Sequence, residues 1–287
     1  MLFRSGGVDA IMRMVASSLT DLWGQPVAVE NHVGAAGTVG SALVAKSPPD
    51  GHTLLANSSA HVVSAALRIN LPYDPLNDFV PVAPLTNQAY VLVVGKGSGF
   101  SSMRDLIAAA KAKPNELTFT SAGIGSGTHL LAEKFNLDAG VRMTHVPTAG
   151  AGAANKEIIE GRITYWFSSL TPALPHIREG RLLALAASSG KRMAGLPDVP
   201  TVDEAGIPGF DAGLWYGVWA PAGIPSAIVE KIAKDVRQVL AMPESFKKIT
   251  ESGAEVMSMT PHEFARFVRS EAESAARIVK AAGIKPQ

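Results

Sequence analysis

Leu117 to Leu130 reads Leu-Thr-Phe-Thr-Ser-Ala-Gly-Ile-Gly-Ser-Gly-Thr-His-Leu, and it holds the densest set of groups that could do chemistry. Leu117 and Phe119 alternate with Thr118 and Thr120, which predicts a short strand. The pattern breaks at Ser121, passes glycines at 123, 125 and 127, and restarts as a helix near Thr128. The first amides of a helix have no partner inside it, and the aligned peptide dipoles place about half a positive charge there. Glycines let such a backbone approach a guest closely, while Ser121, Ser126 and Thr128 add hydroxyls. The chemistry this suits is anion binding, with carboxylate or phosphate as guest. The stretch holds no nucleophile with an obvious base, so it reads as a binding device. A strand–loop–helix junction is also a plain way to turn a chain, and both readings stand at this point. The glycine spacing differs from the dinucleotide fingerprint, whose third glycine lies one residue later.

Other stretches repeat the theme. Ser5-Gly6-Gly7-Val8-Asp9 opens a helix with Ile11, Met14, Val15 and Leu19 on one face. A predicted strand at 52–56 ends in Asn57-Ser58-Ser59, and one at 144–146 feeds Thr148-Ala149-Gly150-Ala151-Gly152. A strand at 163–167 exits through Ser168-Ser169. None of these loops carries Arg or Lys.

Several chemistries are set aside. The seven histidines show no metal-binding spacing, and no cysteine is present, which excludes thiolate chemistry, disulfides and cysteine metal sites. His129 could donate to an anion or bond a neighbouring carbonyl, and His145 and His176 fit local packing. Ser245-x-x-Lys248 matches a nucleophile motif by letters, but it lies in an ordinary amphipathic pattern without companion motifs. Trp166, Trp215, Tyr216 and Trp219 read first as packing residues. No metal or cofactor is called for.

The elements that must position these loops follow from patterning. A chain of 287 residues with 47% apolar and 18% charged residues is globular, and its length suggests two domains. A net charge of +1 and the absence of basic runs argue against nucleic acid. No apolar run reaches the ~18 residues of a membrane span. Strands are predicted at 26–30, 80–85, 90–94 and 183–187 in addition to those above, with Leu214–Ala220 returning to the first half. Thr260, Pro261 and Glu263 sign the start of the last helix as a capping box with proline at its first position. Strands alternating with helices predict α/β architecture with parallel sheets.

Ten segments then point to one family. They include Ser5–Asp9, Leu22-Trp-Gly-Gln-Pro-Val-Ala-Val-Glu-Asn31, Gly34-Ala-Ala-Gly-Thr-Val-Gly40, Pro49-Asp-Gly-His-Thr-Leu-Leu55 and Leu71-Pro-Tyr-Asp-Pro75. Ser121–Leu130, His145-Val-Pro147, Pro172–Gly180, Leu196-Pro-Asp-Val-Pro-Thr201 and Trp215–Gly223 follow in order. The chain resembles the substrate-binding receptors of tripartite tricarboxylate transporters, the Bug-type solute receptors, almost from end to end. The resemblance implies an α/β, two-lobed periplasmic-binding-protein fold (type II, Venus-flytrap) with a ligand cleft between lobes. It implies a periplasmic, non-enzymatic receptor that delivers an organic acid to membrane permease subunits, the acid being held by loop amides, hydroxyls and water rather than by an arginine; a monomer is expected.

Lobe 1 is expected over 1–95 and 221–287 and lobe 2 over 96–220, with crossings near 94–99 and 214–220. The family's leader and first strand would precede Phe3, so both are expected to be missing here. Thr148-Ala149 stand where the family usually has an aromatic and a lysine, and Ser168-Ser169 where an Asp-Asn pair is common. The candidate ligand residues are Ser5, Gly6, Gly7, Asp9, Asn57, Ser58, Ser59, Ser121, Gly125, Ser126, Gly127, Thr128, His129, Thr148, Ala149, Gly150, Ser168 and Ser169. These loops contain no Glu and only one Asp to offset a buried ammonium. The expected ligand is therefore a carboxylate without an amino group, either aromatic or an extended dicarboxylic acid. Tyr90, Trp166 and Trp215 are expected to border it if their side chains point inward.

Overall fold

The computed structural model of the chain describes residues 7–32, 37–67, 70–148 and 150–285. The chain opens with α1 (Gly7–Trp23), α2 (Thr38–Ala45), β1 (Leu55–Ser58), α3 (Ala60–Leu67) and β2 (Phe79–Gly95). Next come α4 (Met103–Ala112), β3 (Thr118–Thr120), α5 (Gly127–Ala139), β4 (Thr144–His145), α6 (Ala151–Ile159), β5 (Tyr165–Ser169), α7 (Leu170–Arg178) and β6 (Leu182–Ala187). It closes with β7 (Gly213–Pro221), α8 (Ser226–Leu240), α9 (Pro243–Glu251), β8 (Glu255–Val256) and α10 (Pro261–Ala281). Two compact units result: Met1–Asn87 with Trp215–Arg277 and Lys285–Gln287, and Gln88–Leu214 with Ile278–Ile284. The chain passes between them at 87/88, inside β2, at 214/215, inside β7, and again at 277/278 and 284/285.

In the second unit the strand order is β6, β2, β5, β3, β4. β3 pairs in parallel with β4 (Phe119 opposite His145) and with β5 (Phe119 opposite Tyr165). β2 pairs antiparallel with both β5 and β6, so the sheet is mixed rather than parallel as patterning predicted. The reason is connectivity. β2 is one continuous strand, predicted as two, that arrives from the first unit without a helical crossover, and only such crossovers impose a parallel neighbour. Alternate residues serve opposite faces: Leu92, Val94, Tyr165 and Phe167 pack with Phe119 and Phe135, while Val91, Val93 and Trp166 pack with Ile158 and Ala173. Both faces are thus buried under helices, which explains why residues 89–94 of β2 and 165–167 of β5 read as unbroken apolar runs. Gly95 is required here, because a Cβ would sit 2.4 Å from the Ile158 carbonyl oxygen.

In the first unit β7 lies between β1 and β2, and β8 pairs antiparallel with β2. β1 and β7 are antiparallel, with Asn57 opposite Gly217 and Ser58 opposite Tyr216. Trp215, Trp219, Phe264 and Val268 form its aromatic core with Leu55 and Val44. The capping box of α10 forms as predicted: Thr260 Oγ1 accepts from Glu263 N at 3.2 Å, and Thr260 N donates to Glu263 Oε2 at 2.8 Å. The strand predicted at 26–30 is absent; Val27 N donates instead to the Thr20 hydroxyl at 3.0 Å.

Candidate functional site

Because β3, β4 and β5 run in the same direction, their carboxyl ends leave one edge of the sheet. From that edge start α5 at Gly127, α6 at Ala151 and α7 at Leu170. Three helix N-termini thus gather where open α/β sheets bind ligands. The loop from Ser121 to Ser126 is shaped by Gly123 (φ 130°) and Gly125 (φ 75°), conformations that only glycine adopts without strain. Ser126 is the N-cap of α5, its Oγ accepting from His129 N at 3.2 Å.

Sequence reading gave the loop hydroxyls to a ligand; in the structure most of their capacity is spent inside the loop. Ser121 is fully buried, and its Oγ contacts Gly123 N (3.2 Å), Gly123 O (3.0 Å) and His145 Nε2 (2.7 Å). Thr128 Oγ1 accepts from Ala122 N at 3.0 Å and lies 3.2 Å from Ser126 Oγ. That last pair shares one hydrogen bond, so one hydroxyl proton of the two remains to be donated. Ser126 N donates to Gly123 O at 3.1 Å and Gly125 N to His129 Nδ1 at 3.0 Å. Within 122–130, the amides of Ile124, Gly127 and Thr128 have no acceptor among the described residues. They lie in a loop with no cationic side chain, and Gly127 is exposed.

His129 is 3% exposed, behind the loop rather than on it. Its bond from Gly125 N fixes Nδ1 as the bare nitrogen, so a neutral ring carries its proton on Nε2, 3.6 Å from Glu133 Oε1. The His145 ring stacks on it with centroids 3.9 Å apart and planes 14° from parallel. Burial, and then repulsion from His129, push the His145 imidazole down to about 4, with Glu133 partly opposing.

At the end of β4, Thr148 N and Oγ1 both donate to the Ser121 carbonyl, at 3.0 and 3.2 Å, and Thr120 Oγ1 donates to Thr148 Oγ1 at 3.2 Å. Gly150 caps α6 with φ 93° and no side chain, leaving open space where a Cβ would stand. Ala149 lies outside the described residues. Ser168 and Ser169, predicted as a polar exit after the strand, are its last two residues, paired with Val91 and Tyr90. Ser168 is fully buried and its hydroxyl donates to Ser169 O at 3.0 Å; Ser169 caps α7 through its backbone alone.

The first-unit candidates form a separate group. Ser5 and Gly6 lie outside the described residues, and Gly7 begins α1. Asp9 accepts from Arg13 Nε at 3.0 Å and Asn31 Nδ2 at 2.7 Å, and these bonds, Arg13's first, hold its carboxyl below the usual range. Asn57 Oδ1 accepts from Ser58 N at 2.8 Å and its Nδ2 donates to Ser41 Oγ at 3.4 Å. Gly37, the N-cap of α2, lies against that amide, since a Cβ there would meet Nδ2 at 2.9 Å. Ser58 Oγ accepts from Ala60 N at 3.3 Å, and Ser59 N is tied to Trp215 O at 2.8 Å.

Sequence reading gave no site role to three residues that hold these groups in place. Thr120 and His145 sit on neighbouring parallel strands, a juxtaposition legible only once β3 and β4 are known to pair. Ser41 lies between Asn57 and the buried His61, whose Nδ1 is 3.3 Å from its oxygen. Trp166 and Trp215, read first as packing residues, are core: the Trp166 indole bonds Asn155 Oδ1 at 2.9 Å and the Trp215 indole bonds Glu271 Oε2 at 3.0 Å, each 2% exposed.

An α/β fold in two units, with helix N-termini gathered at a strand edge, is that of the periplasmic binding proteins. The chain belongs to the tripartite tricarboxylate transporter family receptors, which it matches over residues 11–284. It is 34% identical to protein BugT of Bordetella pertussis over 282 residues, covering 98% of this chain and 86% of that one. Among solved structures, an R. palustris protein with adipate is 31% identical with a TM-score of 0.77, over 100% of this chain and 96% of that one. MatC from Rhodopseudomonas palustris with bound malate is 33% identical with a TM-score of 0.72, over 96% of each chain. No helix among the described residues is long and apolar enough to cross a membrane.

Proposed function

We propose that this chain is a periplasmic receptor that captures a small organic carboxylate lacking an amino group and passes it to the membrane subunits of a tripartite tricarboxylate-type transporter. The observation that carries the proposal is the set of unpartnered amides at Ile124, Gly127 and Thr128 in a loop with no Arg or Lys. Such donors suit a carboxylate oxygen, and each charge-assisted bond contributes about 1.5–3 kcal/mol. The candidate loops offer no free carboxylate for an ammonium, because Asp9 is already held by Arg13 and Asn31. Relatives of similar fold hold adipate and malate, which favours a dicarboxylic acid. With Trp166 and Trp215 committed to the core, an aromatic acid has less support than an extended one.

The protein acts as a monomer and turns nothing over. Ser121 Oγ and His145 Nε2, at 2.7 Å, have the spacing of a nucleophile and its base. Ser121 is fully buried, however, and its oxygen is held by Gly123, so no substrate carbon can reach it. A thermal-shift screen of organic acids tests the proposal. At 100 times its Kd, the true ligand stabilises the protein by about 2.7 kcal/mol. A C4–C6 dicarboxylic acid is expected to shift the melting temperature more than glutamate or aspartate does. A larger shift with either amino acid contradicts the ligand class, and loss of the bound acid to a product contradicts the non-enzymatic reading.

A further inference from the structure

The two stacked imidazoles behind the ligand loop are not needed for a simple turn. His129 Nδ1 is the acceptor for Gly125 N, and His145 Nε2 contacts the Ser121 hydroxyl that in turn holds both polar groups of the Gly123 backbone. The pair therefore grips the loop at both of its glycines with positive φ. It is also an arrangement that tolerates charge poorly. The rings lie 3.9 Å apart, too close for both to be cations in a site where His129 is 3% exposed. A proton added to a neutral His129 can go only to Nδ1, and it removes the acceptor of the Gly125 amide.

We propose that His129 and His145 form a paired positioning element: the 121–128 loop keeps its free amides aligned while both rings are neutral, and proton uptake by the pair frees the Gly125 amide and reshapes the loop. The groups around the pair agree. From α5, Glu133 faces His129 Nε2 at 3.6 Å. From β3, Phe119 stacks against both rings and brings no charge. Beyond it the Tyr165 hydroxyl of β5, whose proton burial and Glu133 hold firmly, is turned to Asn136 Oδ1 at 2.9 Å. The low proton affinity of His145 comes from burial and from its stacked partner. The functional consequence, acid-sensitive anion capture, rests on the reading of this loop as the ligand loop. The titration itself does not, so the two can fail separately.

The test uses ligand-free protein, with acid titration followed by NMR. The Gly123 and Gly125 amide resonances are expected to move together with the ring signals of the pair, at one common midpoint. His145→Phe keeps a ring against Phe119 and His129 but removes the repelling partner, and should raise the Gly125 midpoint by about one pH unit. Glu133→Gln removes a carboxylate that raises the proton affinity of His145 and should lower the common midpoint. Should His145→Phe fail to fold, the Glu133→Gln shift decides alone. A Gly125 amide that stays still until global unfolding, or a midpoint indifferent to these substitutions, overturns the proposal.

Discussion

Replacing His61 with Phe should flatten the dependence of stability on pH. His61 is 1% exposed among Tyr73, Phe79 and Trp219, the last with its ring 5.0 Å away. Burial pushes its imidazole from 6.5 to about 4, with the Pro75 carbonyl opposing only in part. A base whose folded value lies below its unfolded value binds fewer protons when folded. Its contribution is therefore fully present above 6.5 and is lost as pH falls from 6.5 towards 4. The full span of about 2.5 units corresponds to roughly 3.4 kcal/mol, and the part falling between pH 7 and pH 5 to about 1.8 kcal/mol. Phe preserves a flat ring in the aromatic cage and leaves Ser41 Oγ in contact with Asn57. Urea unfolding followed by tryptophan fluorescence, at pH 7 and at pH 5, gives the comparison directly. The wild type should lose about 1.8 kcal/mol more than His61→Phe over that interval. Parallel losses would refute the assignment of a buried, neutral His61.

Gly95→Ala should destabilise the second unit by about 1–3 kcal/mol in urea unfolding, because its Cβ would meet the Ile158 carbonyl oxygen at 2.4 Å and backbone must move. Trp166→Phe should cost about 1–3 kcal/mol in the same assay, since Asn155 Oδ1 is left buried without its donor. Ser126→Ala removes the cap of α5 and should cost about 1 kcal/mol of stability, with a further loss of roughly 0.5–1.5 kcal/mol in calorimetric ligand affinity.

Elements with local signatures were legible in the sequence. The capping box at Thr260 and Glu263 and the glycine turn after Thr120 each carry their physics within a few residues. The candidate loops were legible for the same reason, since glycine, serine and threonine after a β-branched run have few other uses. What could not be read was anything set by pairing between distant segments. That β2 is one strand lying antiparallel to β5 and β6 depends on contacts 71 or more residues away in sequence, which no local period encodes. The inward use of the loop hydroxyls was hidden by the same limit, because Thr148 reaches Ser121 and His145 reaches Ser121 only once β3 and β4 align. Sequence named the residue types of the loop correctly but left open which atoms were free, and the structure turns attention from hydroxyls to amides.

Gly127→Pro tests the central claim most directly. Residue 127 opens α5, where proline's fixed φ fits and its missing N–H breaks no helical bond. Ser126 is already extended (φ −68°, ψ 160°), as a residue before proline must be, and a Cβ at 127 meets nothing within 4 Å. The substitution therefore deletes one free amide and little else. In calorimetric titration with a panel of adipate, malate, succinate and benzoate, the wild type should bind at least one acid. Gly127→Pro, at unchanged thermal stability, should bind that acid at least tenfold more weakly, the loss of a charge-assisted bond. Wild-type affinity in the folded variant, or no binding of any acid by the wild type, would contradict the account.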